Sequence, residues 1–346
     1  AIGIYTNAAD GGTLTQSGTI RAKTTADGST ASGTVITAGD DFTLTIGDVV
    51  AAADGTGSQV RGAHVMAGAG FTARGGDVTV TGQGFASGVN LYVSPDADIE
   101  FGTIDVESIG ADSTALGMGL FGGTDAEVAL GDVIVSAAAR ATGVSLNHRH
   151  AAAGDVLDNA RLIHAGVITA VGMGADSTAE GVSGTVGDDF KASLGDIRAK
   201  AKKSTWGVSL NTGDRAEIQV DAVEAVAEEA DSHAYGATFS GKDDFAVTLG
   251  EVVARAGREA RAVTVRGDEA VSLDVDTVAA EAGTYASGVS VDGASSTVTV
   301  RGDVSATTRG GAGVAQGLIV NSAVADVTND GHVYASANNA TGVGFG

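Results

Sequence analysis

The chain has 346 residues, with 53 glycines, one proline and no cysteine, and its 43 acidic and 20 basic side chains give a formal charge of -23. Proline-rich collagen, with glycine at every third position, is excluded. So are nucleic acid and anionic membrane surfaces as partners, because both are recognised through basic patches. What remains is a soluble, self-repelling surface, and the lack of cysteine is compatible with either redox compartment.

From the N-terminus, Ile2-Gly3-Ile4 is preceded by no basic region and no apolar signal stretch. No run anywhere approaches the roughly 18 apolar residues of a membrane span, so this segment is not expected to insert in a membrane. The apolar content is 43%, mostly alanine and valine, with only 4% aromatics. Small side chains of this kind suit thin layers packed closely together.

An internal repeat then runs through the chain. One landmark is a glycine or aspartate followed by a small apolar alternation. It falls at Gly18, Gly47, Gly76, Gly102, Gly131, Gly166, Gly195, Asp221, Gly250, Asp276, Gly302 and Gly331. The second, glycine–apolar after a small residue, falls at Gly33, Gly62, Gly88, Gly117, Gly143, Gly181, Gly207, Gly236, Ala262, Gly288, Gly317 and Gly342. The step from a second landmark to the next first one is constant, as from Gly33 to Gly47, Gly181 to Gly195 and Gly317 to Gly331. It fails once, where Gly143 to Gly166 carries nine extra. The complementary half has a short form, as from Gly76 to Gly88, and a form three longer, as from Gly18 to Gly33. Only the last, from Gly331 to Gly342, is shorter still. The longer version reads as a longer turn, as in Ala26-Asp27-Gly28-Ser29-Thr30. Ile2-Gly3-Ile4 already fits the second landmark, and the chain stops part-way through a coil at Gly342-Val343. On that ground the segment is expected to belong to a longer protein, or to meet partners at its ends.

Within one repeat, alternation of period two marks strands. Gly288–Val291 is a short strand, Asp292–Ser295 a turn, Thr297–Val300 a second strand, and Val304–Thr307 a third after a bend at Gly302-Asp303. Three short strands in a repeat of twenty-six or twenty-nine positions fit one turn of a parallel β-solenoid. The fold class is therefore all-β: a parallel β-solenoid, or β-helix, of about twelve coils, forming one domain over residues 1–346 with one insertion at 144–165. At the strand spacing of about 4.8 Å such a rod is on the order of 55–60 Å long. Proline is scarce because it cannot donate to a ladder paired on both sides. A helix over Val223–Glu228 is rejected, since the same slot elsewhere holds Val78-Thr79-Val80-Thr81.

Gly18–Thr37 (GTIRAKTTADGSTASGTVIT), Gly131–Leu146 (GDVIVSAAARATGVSL) and Asp276–Val291 (DTVAAEAGTYASGVSV) together resemble the passenger repeats of bacterial autotransporter and haemagglutinin-type secreted proteins. The resemblance covers essentially the whole chain. It implies a parallel β-helix, usually right-handed, exported and displayed at the cell surface for adhesion, aggregation or matrix building. No C-terminal membrane barrel or protease triad segment accompanies it.

Few residues stand out against this background. The insertion carries His148, Arg149 and His150, with His164 beyond; alternating histidines on a strand face one way and suit a metal or ligand-binding loop. Asp40-Asp41, Asp188-Asp189 and Asp243-Asp244 occupy one slot and are each followed by phenylalanine. Oxygen-rich corners of this kind bind calcium, or they are ordinary Asx turns with Phe42, Phe190 and Phe245 stacked inside. Calcium is the only cofactor suggested. Lys200-Ala201-Lys202-Lys203 reads as a solvated corner or a patch that meets an acidic face of another copy. Trp206, the sole tryptophan, lies beside it.

The expected function is a non-enzymatic extracellular or bacterial cell-surface protein, structural or adhesive, that builds a layer, filament or stalk. Its expected partners are copies of itself or other surface proteins, and surface glycans. The alternative is a carbohydrate-active or carbohydrate-binding β-helix of the lyase or tailspike kind, with its site near the insertion. An ice-binding face would need threonine in one slot through every coil, and the sequence does not supply it.

Overall fold

The computed structural model describes residues 1–147, 157–310 and 313–345. Among them there is no helix, and about 70% of the chain is strand. The strand pairings are parallel and join each coil to the next. Ile2–Ala8 pairs with Thr30–Ala38, which pairs with Gln59–Ala67, and so on through to Asn339–Phe345. The result is a parallel β-solenoid of about 11 turns, matching the eleven intervals between the twelve first landmarks.

In the early coils three strands make one turn, as in Thr30–Ala38, Thr43–Ile46 and Val49–Ala53. From Arg161 to Ala282 the second and third strands merge, as in Arg161–Gly172 and Glu217–Ala227, and from Tyr285 the first and second do, as in Val314–Asn329. One expectation is corrected. Asp292–Ser295 does not turn out of the ladder, because Tyr285–Val300 runs on as one strand in which Asp292, Gly293 and Ser295 pair with Asn321, Ser322 and Val324. Residues 223–228 lie in or just after a strand: Val223, Ala225 and Ala227 are buried, and the residues between them face outward.

The core is a set of columns, each made of equivalent residues one coil apart. Phe42, Phe190 and Phe245 are buried as expected, joined by Phe71, and Ala216 separates the last two of the expected three. Phe42 and Phe71 stand on adjacent coils, and buried Ala97, Ala126 and Ala160 hold the same slot before Phe190, so from Phe42 to Phe245 the column takes rings or alanine. At the second landmark the chain bends sharply inward. A Cβ on Gly207 would meet the Gly236 carbonyl oxygen at 2.5 Å, and the Val223 side chain closer still. That close approach recurs at every glycine of this landmark from Gly33 to Gly317 and explains the preference, with Ala262 the one exception in that run.

Candidate functional site

The aspartate corners come first. In nine successive coils one residue at this corner takes a left-handed conformation: Gly11, Asp41, Gly70, Asp96, Asp125, Asn159, Asp189, Arg215 and Asp244, with φ between 48° and 67°. Aspartate, asparagine and glycine are the residues that tolerate this setting, so the double-aspartate signal is first of all a corner signal. From Gly11 to Arg215 each corner N–H donates to a carbonyl one coil on, as Asp41 does to Ala69 and Asp189 to Asp214, both within 2.8 Å. The preceding aspartate also reaches to the next coil. Asp40 Oδ1 accepts the Ala69 N–H at 2.9 Å, and Asp188 Oδ1 accepts the Asp214 N–H at 2.8 Å.

A second corner repeats the device. Asp77 Oδ1 accepts the Thr103 N–H at 2.8 Å, Asp132 that of Val167 at 2.8 Å, and Asp303 that of His332 at 2.9 Å. The long turn has its own version, with serine. The buried Ser232 hydroxyl donates to the Ala227 carbonyl and accepts the Gly257 N–H, both at 2.9 Å. Ser113 does the same with Ser108 and Ala138. The three extra residues of a long repeat thus close around a serine that also ties down the next coil.

Among the described residues no three histidine, aspartate or glutamate side chains converge on a point that could hold a metal ion. Asp189 and Asp244 lie in one column but are separated by Arg215, and Asp41 is several coils away. Arg215 forks onto Asp189 at 2.7 and 2.6 Å, and that hydrogen bonding holds the Asp189 carboxyl below its usual range. Most described lysines and arginines behave alike and pair with an acid one coil away, as Lys23 does with Asp54, Lys191 with Glu217 and Arg266 with Asp292. The lysine cluster is already neutralised in this way. Lys200 and Lys202 both bond Glu228, whose carboxyl they lower to about 2, and Lys203 bonds Asp176 at 2.9 Å.

His148, Arg149 and His150 lie outside the described residues. Around them, the nine extra residues divide in two. Twelve positions separate Asn147 from the corner at Asn159, where four separate Phe121 from Asp125. The ninth is a β-bulge within Arg161–Gly172, where the register shifts between His164 and Val167. Beside the bulge, His164 occupies a core column between Leu130 and Leu194. It is 1% exposed, and neither ring nitrogen has a hydrogen-bond partner. Burial pushes its pKa down, against weaker opposing pulls from the Gly131 backbone and Asp132.

The outer surface of the coil-opening strands is the least uniform. Bending at the second-landmark glycine brings the side chain before it against the one two positions after it, outside the core. Asn90 donates to Ser87 in one coil, and Ser183 donates to Glu180 at 3.0 Å in another. The equivalent positions on either side of Glu180 and Ser183, Thr142 with Ser145 and Trp206 with Ser209, continue the row as a shallow trough. Trp206 stands in it with Tyr235 one coil on, the rings stacked at 5.6 Å between centroids and 19° between planes. Arg140 bonds Glu180 at 2.8 Å, while Arg261 bonds Glu259 at 2.6 Å and lies over the Tyr285 ring at 5.2 Å. A cleft of about 240 Å³ is lined by Glu180, Ser183, Gly184, Thr185, Trp206, Ser209 and Asn211. Sequence reasoning noted Trp206 but not its partners. The aromatic and acidic ones lie a full coil away along the chain, and only the coil register brings them together.

Against known protein families, characterised proteins and solved structures, the chain matches none.

Proposed function

We propose that this chain is a non-enzymatic structural or adhesive rod, displayed outside the cell or on a bacterial surface in the manner of passenger-type β-helix repeats, and that it associates with copies of itself into a layer, filament or stalk. The observation that supports this reading is the axial lacing of charge. Its lysines and arginines are paired largely within the rod, so the surplus of acid faces outward and copies meet acid to acid. Association then requires salt or a divalent cation to offset repulsion. The aspartate corners at Asp40, Asp41, Asp188, Asp189, Asp243 and Asp244 are where calcium would bridge copies, since within one rod they do not assemble a coordination shell of six to eight oxygens.

Light scattering and negative-stain microscopy of the purified chain, in calcium and in chelator, test this reading. Ordered filaments or sheets in calcium that dissolve on chelation are expected. A monomeric rod under both conditions, at any salt concentration, overturns it.

A further inference from the structure

We propose that the cleft beside Trp206 binds one ring of an uncharged, extended glycan whose chain continues along the trough. The inference rests on the adhesive reading above and supplies its ligand class. One face of the Trp206 indole is taken by Tyr235. The other turns toward the preceding coil, whose register partner is Glu180, and both residues line the 240 Å³ cleft. That volume is below the ~300–1,000 Å³ of a drug-sized site, so it suits a single ring and not a compact multi-ring ligand.

Gly184 borders the cleft and is the register partner of Leu146 and Leu210, in a column that also holds Leu91 and Leu120. Its φ is 153°, and a Cβ there would collide with the Leu146 carbonyl. The polar groups around the indole, Ser183, Ser209 and Asn211, are hydroxyls and an amide suited to sugar hydroxyls. An aromatic face with few placed polar groups is the general form of such a site.

The local charges select the class of glycan. Glu180 is held by Arg140 at one oxygen and by Ser183 at the other, and Glu259 is held by Arg261. The trough is therefore polar without being cationic, on a rod of charge -23, and a polyanionic glycan is repelled. Further along, Arg261, Ser287 and Gln316 continue the row from Tyr235, and Tyr285, two positions before Ser287, donates its hydroxyl to Gln316 at 2.6 Å. The coil repeat of about 4.8 Å is close to the advance per residue of an extended pyranose chain.

Trp206 is the only tryptophan, so intrinsic tryptophan fluorescence reads this site alone. The full chain is titrated with cellohexaose, chitohexaose and laminarihexaose, with oligogalacturonate as the anionic control. A saturable spectral shift with at least one neutral hexamer and none with oligogalacturonate is expected. By calorimetry, Trp206→Ala and Asn211→Ala should each weaken that hexamer at least tenfold, with the circular dichroism of both variants unchanged. No saturable response to any neutral hexamer, preference for the anionic probe, or undiminished binding in both variants overturns the proposal. Self-association of the same samples is read by light scattering. Assembly without glycan binding removes this inference alone, and loss of both removes the adhesive reading with it.

Discussion

Replacing His164 with leucine should stabilise the rod and remove part of its sensitivity to acid. His164 sits between Leu130 and Leu194 in a core column, with both ring nitrogens buried and without partners. A buried polar group left unsatisfied costs about 1–3 kcal/mol, and leucine restores the residue type of its neighbours without a cavity. The pH dependence follows from the lowered pKa. The unfolded chain takes up a proton near the ordinary histidine value of 6.5, while the folded chain resists it to a lower pH. Above 6.5 the two states bind equally, and below it the unfolded state binds more, so stability falls as pH falls through this window. His64, also held low by burial and by Arg61, leaves a residual slope. Urea unfolding at pH 7.5 and 5.5, with hydrogen exchange across Arg161–Gly172, measures both effects. His164→Leu should be more stable by about 1–3 kcal/mol at pH 7.5, with a shallower loss at pH 5.5. A variant less stable at pH 7.5, or with an unchanged slope, would refute the assignment of His164 as a neutral, unsatisfied core residue.

Two further outcomes follow from the corners. Ser232→Ala leaves the Gly257 N–H and the Ala227 carbonyl without their buried partner. It should cost about 1–3 kcal/mol and speed exchange of the Gly257 amide selectively; uniform protection across both coils would contradict the role given to the serine. Gly207→Val forces side-chain atoms onto the Gly236 carbonyl and Val223 and should cost at least about 1–3 kcal/mol from overpacking, seen as a lower urea midpoint. Ala262→Gly, at the one position of the same column that already carries a Cβ, should cost only about 1 kcal/mol; equal effects of the two changes would remove the close-approach explanation.

Period, strand and stacking were readable because a solenoid repeats one local solution. A glycine where a Cβ would strike the next coil, and an aspartate where the backbone turns left-handed, recur at fixed spacing and announce themselves. What misled was local composition. Asp292-Gly293-Ala294-Ser295 has the residues of a turn, yet there the backbone keeps its ladder partners in Asn321, Ser322 and Val324. The double aspartates left calcium and Asx turns open as alternatives, because sequence spacing cannot show that Asp40 and Asp188 direct an oxygen at a backbone N–H of the next coil.

The candidate site was less legible for the same reason that the fold was more so. In a repetitive rod most substitutions are neutral variations on a column, and function is carried by departures from it. Those departures gather in neighbouring coils. The bulge and His164 lie in one of them, and Leu146, just before the insertion, is the register partner of Gly184. Gly184 in turn borders the cleft against Trp206. A glycine among leucines loses core area and adds conformational freedom to the unfolded chain, and a buried histidine without partners costs more. Neither helps the stack, yet both fall within a coil or two of the cleft where the Trp206 indole meets Ser183, Ser209, Asn211 and the paired Glu180. A leucine at Gly184 would strike the Leu146 carbonyl, so the departure from the column is built into the backbone beside the cleft proposed above to hold a glycan ring.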